Sequence, residues 1–209
     1  MEIKVCGMKD RVNCQHLAIE VIPDWMGLIF YPKSPRFVQD EESDWIRSLP
    51  IKKVGVVVGE QPAVMQQKIS IFGLSALQLH GGESIELVQE LKETTDVEIW
   101  KVISVGETVD WMGMEAFVPF VDRFLFDTAS VSKGGSGKQF DWGLLEHYPF
   151  EKGFMLSGGL TAAHAAAFRD LAERIPQLLG VDVNSGFELT PGLKDISALQ
   201  AFKQELSNQ

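Results

Sequence analysis

Short apolar runs alternate with amphipathic stretches along the whole 209-residue chain. The runs lie at Ile3–Cys6, Gly27–Phe30, Lys53–Val58, Ala76–Leu79, Glu98–Ile103, Arg123–Phe126, Gly153–Leu156 and Gly180–Val183, and each predicts a strand. They recur every 20 to 30 residues or so, roughly the length of a repeating strand–helix unit. Helical signals fill the gaps. Pro62 sits where a first-turn proline is tolerated, ahead of Ala63–Ile69. Asp141 can cap a helix running to about Tyr148. Thr161 can cap Ala162–Arg174, whose Ala165, Phe168, Leu171 and Ala172 share one face. A last amphipathic stretch, Ile196–Leu206, is placed to close the ring against the first helix.

Eight such alternations predict an α/β fold with a parallel sheet and helices outside it. An open, doubly wound sheet of eight strands would satisfy the count. A closed (β/α)8 TIM barrel fits better, because the chain length is near the compact end of the barrel range and no G-x-G-x-x-G follows the first strand. No linker rich in Pro, Gly and Ser divides the chain, so residues 1–209 are expected to form a single domain.

In a barrel, residues just past the strand ends gather at one mouth. Those residues are Cys6-Gly7, the loop Tyr31–Arg36, His80-Gly81, Asp127, Ser157-Gly158-Gly159 and Asp182–Gly186. Within them the stretch Arg123–Trp142 stands out. An apolar strand stops at Asp127, and a loop holding Gly134, Gly135 and Gly137 follows. A carboxylate at the end of a buried strand before a glycine loop points to chemistry, with the glycines as the hinge of a lid that could exclude water.

Charge narrows the partners. Nineteen Lys and Arg against 29 Asp and Glu give a net charge of -10, which argues against nucleic acid, since phosphate contacts need clustered cations. An anionic small molecule must therefore be held locally. No run approaches the roughly 18 apolar residues of a membrane span, and no signal segment opens the chain, so the expectation is a cytoplasmic protein. Cys6 and Cys14 form neither a C-x-x-C motif nor a disulfide framework, and Cys14 reads as helix packing. The four histidines (His16, His80, His147, His164) are scattered, so neither metal nor cofactor is required.

Taken together, Lys4-Val5-Cys6-Gly7, the Tyr31–Val38 stretch YPKSPRFV, Leu77–Gly81, Phe126–Thr128 with Gly134–Gly137, Ser157–Thr161 (SGGLT) and Gly180–Gly192 (GVDVNSGFELTPG) resemble the phosphoribosylanthranilate isomerase family of tryptophan biosynthesis. The likeness spans nearly the whole chain in order. Departures lie at Val56–Glu60, at Met8-Lys9 and at Asn184, which stands where a serine is common.

The resemblance implies an Amadori rearrangement of N-(5-phosphoribosyl)anthranilate, a phosphorylated small molecule, without a cofactor. It implies Asp127 as the general acid and Cys6 as the general base. An ordinary thiol of pKa ~8.5 is only about 3% thiolate at pH 7, so either its pKa is lowered or it works through a small population. Arg36 suits the anthranilate carboxylate, because its planar fork matches a carboxylate. Gly158, Gly159, Asn184, Ser185 and Gly186 are the expected phosphate berth, as in barrels that bind phosphate with the last two strand loops. His80 is expected to line the aromatic pocket and Asp182 to meet a ribose hydroxyl, while Lys4 and Lys101 balance carboxylates. The histidine-pathway isomerase, which rearranges a larger two-phosphate substrate, is the second enzyme candidate, but it is expected to carry an aspartate where this chain has Cys6. A noncatalytic phosphate-binding barrel is the third. The oligomer expected is a monomer or homodimer.

Overall fold

The computed structural model describes residues 1–128 and 140–207. Among them eight parallel strands close in sequence order into a barrel, which decides against the open sheet. They are β1 (Glu2–Val5), β2 (Trp25–Ile29), β3 (Lys52–Val57), β4 (Ala76–Leu79), β5 (Glu98–Val105), β6 (Arg123–Thr128), β7 (Phe154–Leu156) and β8 (Leu178–Val183). The predicted runs fall on these strands with ends shifted by at most two residues. One shift matters for the site: β6 continues to Thr128, so Asp127 lies inside the strand instead of ending it.

The helices are α1 (Arg11–His16), α2 (Ser43–Ser48), α3 (Pro62–Phe72), α4 (Ile85–Thr94), α5 (Trp111–Glu115), α6 (Ala165–Arg174) and α7 (Ile196–Ser207). Local chemistry sets their ends. Asp10 Oδ1 accepts from Asn13 N at 2.8 Å to start α1, Pro62 opens α3, and α3 stops at Gly73 with φ +61°. The first helix continues as a π turn over Leu17–Val21. As expected, α7 docks there, with Lys203 Nζ donating to the carbonyls of Val21 (2.9 Å) and Ile22 (2.5 Å).

Two helix expectations are corrected. Asp141 does cap, accepting from Gly143 N at 2.9 Å, but the Trp142–His147 segment is a 3-10 helix. Pro149 forces the preceding Tyr148 out of helical geometry (ψ 115°), leaving room for only a short, tighter turn. The segment after Thr161 likewise opens as 3-10 over Ala162–His164 before α6 begins. Thr161 N donates to His164 Nδ1 at 3.0 Å there, and Ala165, Phe168 and Leu171 form the buried face.

Strand period two divides the apolar residues into two layers. Leu77, Leu79, Phe124 and Phe126 point outward into the large core beneath the helices. Trp25, Val54, Ala76, Trp100, Val102, Leu125 and Met155 fill the barrel interior. At the N-terminal end the plug is charged. Arg123 reaches Glu2 Oε2 at 2.7 Å and Glu98 Oε2 at 2.9 Å, with its guanidinium 4.5 Å from the Trp100 ring centroid. Above it, at the seam where β8 returns to β1, Lys4 Nζ meets Asp182 Oδ2 at 2.7 Å.

The two seam strands approach so closely that a Cβ on Gly180 would lie 2.1 Å from the Glu2 carbonyl oxygen. That oxygen belongs to strand backbone and cannot swing aside. Gly180→Ala is therefore expected to destabilise the fold by about 1–3 kcal/mol, the usual cost of overpacking. Urea unfolding measures it, and an unchanged midpoint and slope would contradict this account of the seam.

Candidate active site

Strand ends bring the predicted polar residues to one mouth. Cys6 follows β1 and donates its backbone N–H to Val183 O at 2.8 Å, which fixes the first loop against the end of β8. Lys4 and Cys6 share a strand face. Gly27 on β2 leaves room for both, since a Cβ there would lie 2.8 Å from Cys6 Sγ and 3.1 Å from Lys4 Nζ. Burial pushes the Cys6 thiol above its ordinary value, although the neighbouring Lys4 ammonium pulls the other way. In the resting site burial thus works against the lowered-pKa route. Cys14, buried on α1, is pushed up to about 12 by desolvation, as befits a packing residue.

Asp127 shares the inward face of β6 with Leu125 and Arg123. Its Oδ2 lies 3.5 Å from His80 Nε2, and both side chains are partly open to solvent. The other imidazole nitrogen, Nδ1, lies 3.4 Å from Gln78 Nε2. Asp182 sits deeper. Burial raises its carboxyl above the ordinary range, Lys4 pulls it down, and the charge of Asp127 pushes it up again. Burial also works against the Lys4 charge, but the charge of Asp182 and its hydrogen bond outweigh it, so the ammonium is held above its ordinary value. The second Asp182 oxygen, Oδ1, is buried without a hydrogen-bond partner among the described residues.

The glycines of the last two loops are required by close approach. Gly158 (φ +95°) packs on β6, where a Cβ would lie 2.7 Å from Thr128 N, and Gly159 follows at φ +65°. Gly186 lies against the Leu160 carbonyl, 2.1 Å from where its Cβ would be. The two loops are therefore packed on each other, with Ser185–Phe187 forming a 3-10 turn behind Asn184. This assembles Gly158, Gly159, Asn184, Ser185 and Gly186 at one place. The glycines Gly134, Gly135 and Gly137 lie outside the described residues.

Arg36 comes to the same mouth from the loop after β2, where its N–H donates to Ser34 Oγ at 3.1 Å. Gly7 (φ +73°) admits it, since a Cβ there would lie 2.6 Å from Arg36 Cδ and 2.7 Å from Asn184 Oδ1. The arginine already holds a carboxylate of the protein. Its Nε donates to Glu188 Oε1 (2.9 Å) and Oε2 (3.1 Å), and its Nη2 to Oε2 (2.5 Å). Glu188 also accepts from Lys194 Nζ (2.7 Å) and Gly192 N (2.9 Å). Lys194 in turn binds Asn184 Oδ1 at 2.7 Å.

Neither Glu188 nor Lys194 has a local spacing that announces it. The signal that could have found them is the turn Gly192, at φ +89°, which folds the short strands β9 (Glu188–Thr190) and β10 (Leu193–Lys194) back on each other. Lys101 balances a carboxylate as expected, donating to Glu83 Oε2 at 2.8 Å. Glu83 also accepts from Gly81 N (2.9 Å) and Gly59 N (3.2 Å), which joins the loops after β3 and β4.

A mouth with a thiol, a carboxyl group, glycine loops and a placed arginine suits a phosphorylated, carboxylate-bearing substrate. The sequence comparison agrees. The family described as N-(5'-phosphoribosyl)anthranilate (PRA) isomerase matches residues 3–205. The chain belongs to this family. N-(5'-phosphoribosyl)anthranilate isomerases of Parabacteroides distasonis and Phocaeicola vulgatus are 40% and 38% identical to it. The matches cover 99% and 100% of this chain and 93% and 99% of theirs. The crystal structure of the phosphoribosylanthranilate isomerase of Thermotoga maritima superposes with a TM-score of 0.83 at 32% identity, covering 99% of this chain and 98% of that one. Another solved phosphoribosylanthranilate isomerase, 30% identical with a TM-score of 0.79 and the same coverage, is in complex with reduced 1-(o-carboxyphenylamino)-1-deoxyribulose 5-phosphate. Membership makes the chain an enzyme, an isomerase of tryptophan biosynthesis, which sets aside the noncatalytic barrel and the histidine-pathway candidate. Among the described residues no helix is long and apolar enough to cross a membrane.

In this chain Glu188 is expected to make the stability of the mouth pH-dependent. Burial alone would raise its carboxyl, but hydrogen bonds from Arg36, Lys194 and Gly192 N bring it from the ordinary 4.5 down to about 2. A depressed carboxylate contributes stability that is complete above its unfolded pKa and is lost as pH falls through its folded one. The loss attributable to Glu188 is thus expected between pH 4.5 and about 2. Urea unfolding across that range should show a shallower fall for Glu188→Gln than for the wild type, whereas parallel curves would contradict the assignment.

Proposed function

We propose that the chain converts N-(5-phosphoribosyl)anthranilate to 1-(2-carboxyphenylamino)-1-deoxyribulose 5-phosphate by an Amadori rearrangement, with Asp127 as general acid and Cys6 as general base. The reading rests above all on one arrangement. An inward thiol after β1 and an inward carboxyl on β6 open to the same barrel mouth, beside the glycine loops of β7 and β8.

The proton steps follow from the substrate. Asp127 gives its proton to the furanose ring oxygen as the C1–O bond breaks, and the nitrogen lone pair forms a protonated imine with C1. That cation is the electron sink for the next step. Cys6, as thiolate, takes the proton from C2, and the electron pair of the C2–H bond flows into the imine to give an enolamine. In ketonisation the Cys6 thiol returns its proton to C1 while the C2 hydroxyl gives up its own to the Asp127 carboxylate, so both groups are restored and aminoaldose and aminoketose have the same composition. Cys6 can serve as base in spite of its burial because the imine acidifies C2 and Lys4 lies beside the thiolate and stabilises it before proton transfer.

Binding roles complete the proposal. The backbone N–H groups of Gly158, Gly159, Ser185 and Gly186 hold the phosphate, with Asn184 shaping their loop. Arg36 holds the anthranilate carboxylate, and His80 lines the aromatic pocket. Asp182 Oδ1, buried and without a partner among the described residues, is suited to accept from a ribose hydroxyl. Residues 1–209 act as one domain, as a monomer or homodimer in the cytoplasm, on this phosphorylated small molecule.

Phosphoribosylanthranilate is fluorescent, so its disappearance with purified protein tests the reaction directly. The folded wild type should consume it. Asp127→Asn and Cys6→Ser should each lower kcat by about 10²–10⁴-fold, the contribution usual for a positioned proton-transfer group. A folded wild type without turnover would overturn the reaction, and full activity in either variant would overturn that residue's role.

A further inference from the structure

Glu188 is a carboxylate buried between two cations. Its side chain is 5% exposed, that of Lys194 is fully buried, and that of Arg36 is 19% exposed. Every bond it makes restrains it. Lys194 Nζ directs its three N–H groups at Glu188 Oε1 (2.7 Å), Asn184 Oδ1 (2.7 Å) and Asn184 O (3.2 Å), which satisfies an ammonium completely. The chain at Lys194 is itself pinned, since its N–H and C=O pair with the Asn13 side-chain amide on α1 at 2.8 and 2.9 Å.

Arginine has two forks for a carboxylate, a side fork of Nε and Nη2 and an end fork of Nη1 and Nη2. Glu188 occupies the side fork alone. Nη1 has no hydrogen-bond partner among the described residues, so the end fork remains for an anion. We infer that Glu188 is the positioning residue of Arg36: it anchors the side fork so that the end fork is presented to the substrate carboxylate. The same lysine holds Glu188 and Asn184, so the carboxylate clamp and the phosphate loop share one buried anchor. The inference rests on the proposed role of Arg36.

Charge and positioning predict opposite signs. Removing a carboxylate beside an anion site should by Coulomb attraction alone tighten an anionic substrate. Losing the anchor should weaken it, because a mobile arginine must be ordered on binding. Steady-state kinetics with phosphoribosylanthranilate on the wild type, Arg36→Ala, Glu188→Gln and the double variant separate the two. Arg36→Ala is expected to raise KM, and Glu188→Gln to raise KM about tenfold, the scale of a lost charge-assisted hydrogen bond, with kcat within about threefold of wild type. The double variant should match Arg36→Ala, since without the arginine there is nothing for Glu188 to place.

A KM unchanged in Arg36→Ala would remove the Arg36 reading itself. A raised KM in Arg36→Ala together with an unchanged or lowered KM in Glu188→Gln, or with multiplicative effects in the double variant, would overturn the positioning role alone. Should Glu188→Gln fail to fold by circular dichroism, Glu188→Asp carries the same test. It keeps the charge and shortens the reach, so a raised KM supports positioning and a wild-type KM overturns it.

Discussion

The seam between β1 and β8 is the constraint on which the site depends. Closing the barrel sets Lys4 opposite Asp182 in the strand register, and at that depth neither charge is tolerable without the other. Their contact at 2.7 Å makes the closure compatible with a polar interior, and Gly180 lets the backbones meet. The first and last parts of the chain are thereby joined at the point from which Cys6 and the Asn184 loop emerge. A shift of one residue in that register would turn Lys4 and Cys6 to the outer face.

The barrel interior is organised as a column of paired charges. Arg123 with Glu2 and Glu98 closes the N-terminal end, Lys4 with Asp182 lies at the seam, and Arg36 and Lys194 share Glu188 at the mouth. The lower pairs are sealed by Trp25 and Trp100, whose indole N–H groups bind Glu2 and Glu98. The upper groups are different in kind. Among the described residues Asp182 keeps an unpartnered oxygen, Nη1 of the Arg36 end fork has no partner, and Asp127 meets His80 only at 3.5 Å. Asp182 Oδ1 lies where a substrate can complete it, whereas Arg123 Nε at the closed end is also buried without a partner among the described residues.

Much of this was legible before the fold was known. Period-two apolar runs located the strands to within two residues, and polar residues after them identified Cys6, His80, Asp127 and Asp182 as neighbours at the mouth. The 3-10 geometry of Trp142–His147 was not, because Asp141 and the apolar spacing signal a helix while Pro149, a few residues on, limits its length. Glu188 and Lys194 were missed for another reason. On a short hairpin beyond the last barrel strand, charged residues read as a solvated surface, and the partner that gives Glu188 its meaning lies 152 positions away. Arg36 was found, but the carboxylate already bound to its side fork was not.

The acidic balance of the chain explains why these local devices are needed. With a net charge of -10 the long-range field repels an anionic substrate, but salt screens that field beyond a Debye length of about 8 Å. Around Glu188, Arg36 and Lys194 leave a local excess of one positive charge, and the glycine loops add backbone N–H groups that carry no net charge. Short-range donors in a partly desolvated site therefore dominate the distant carboxylates. The arrangement also separates the two anionic ends of the proposed substrate. An arginine fork matches a planar carboxylate and glycine amides match a phosphate, so under the proposed roles donor geometry sets the substrate's orientation, with the reacting carbons between Cys6 and Asp127.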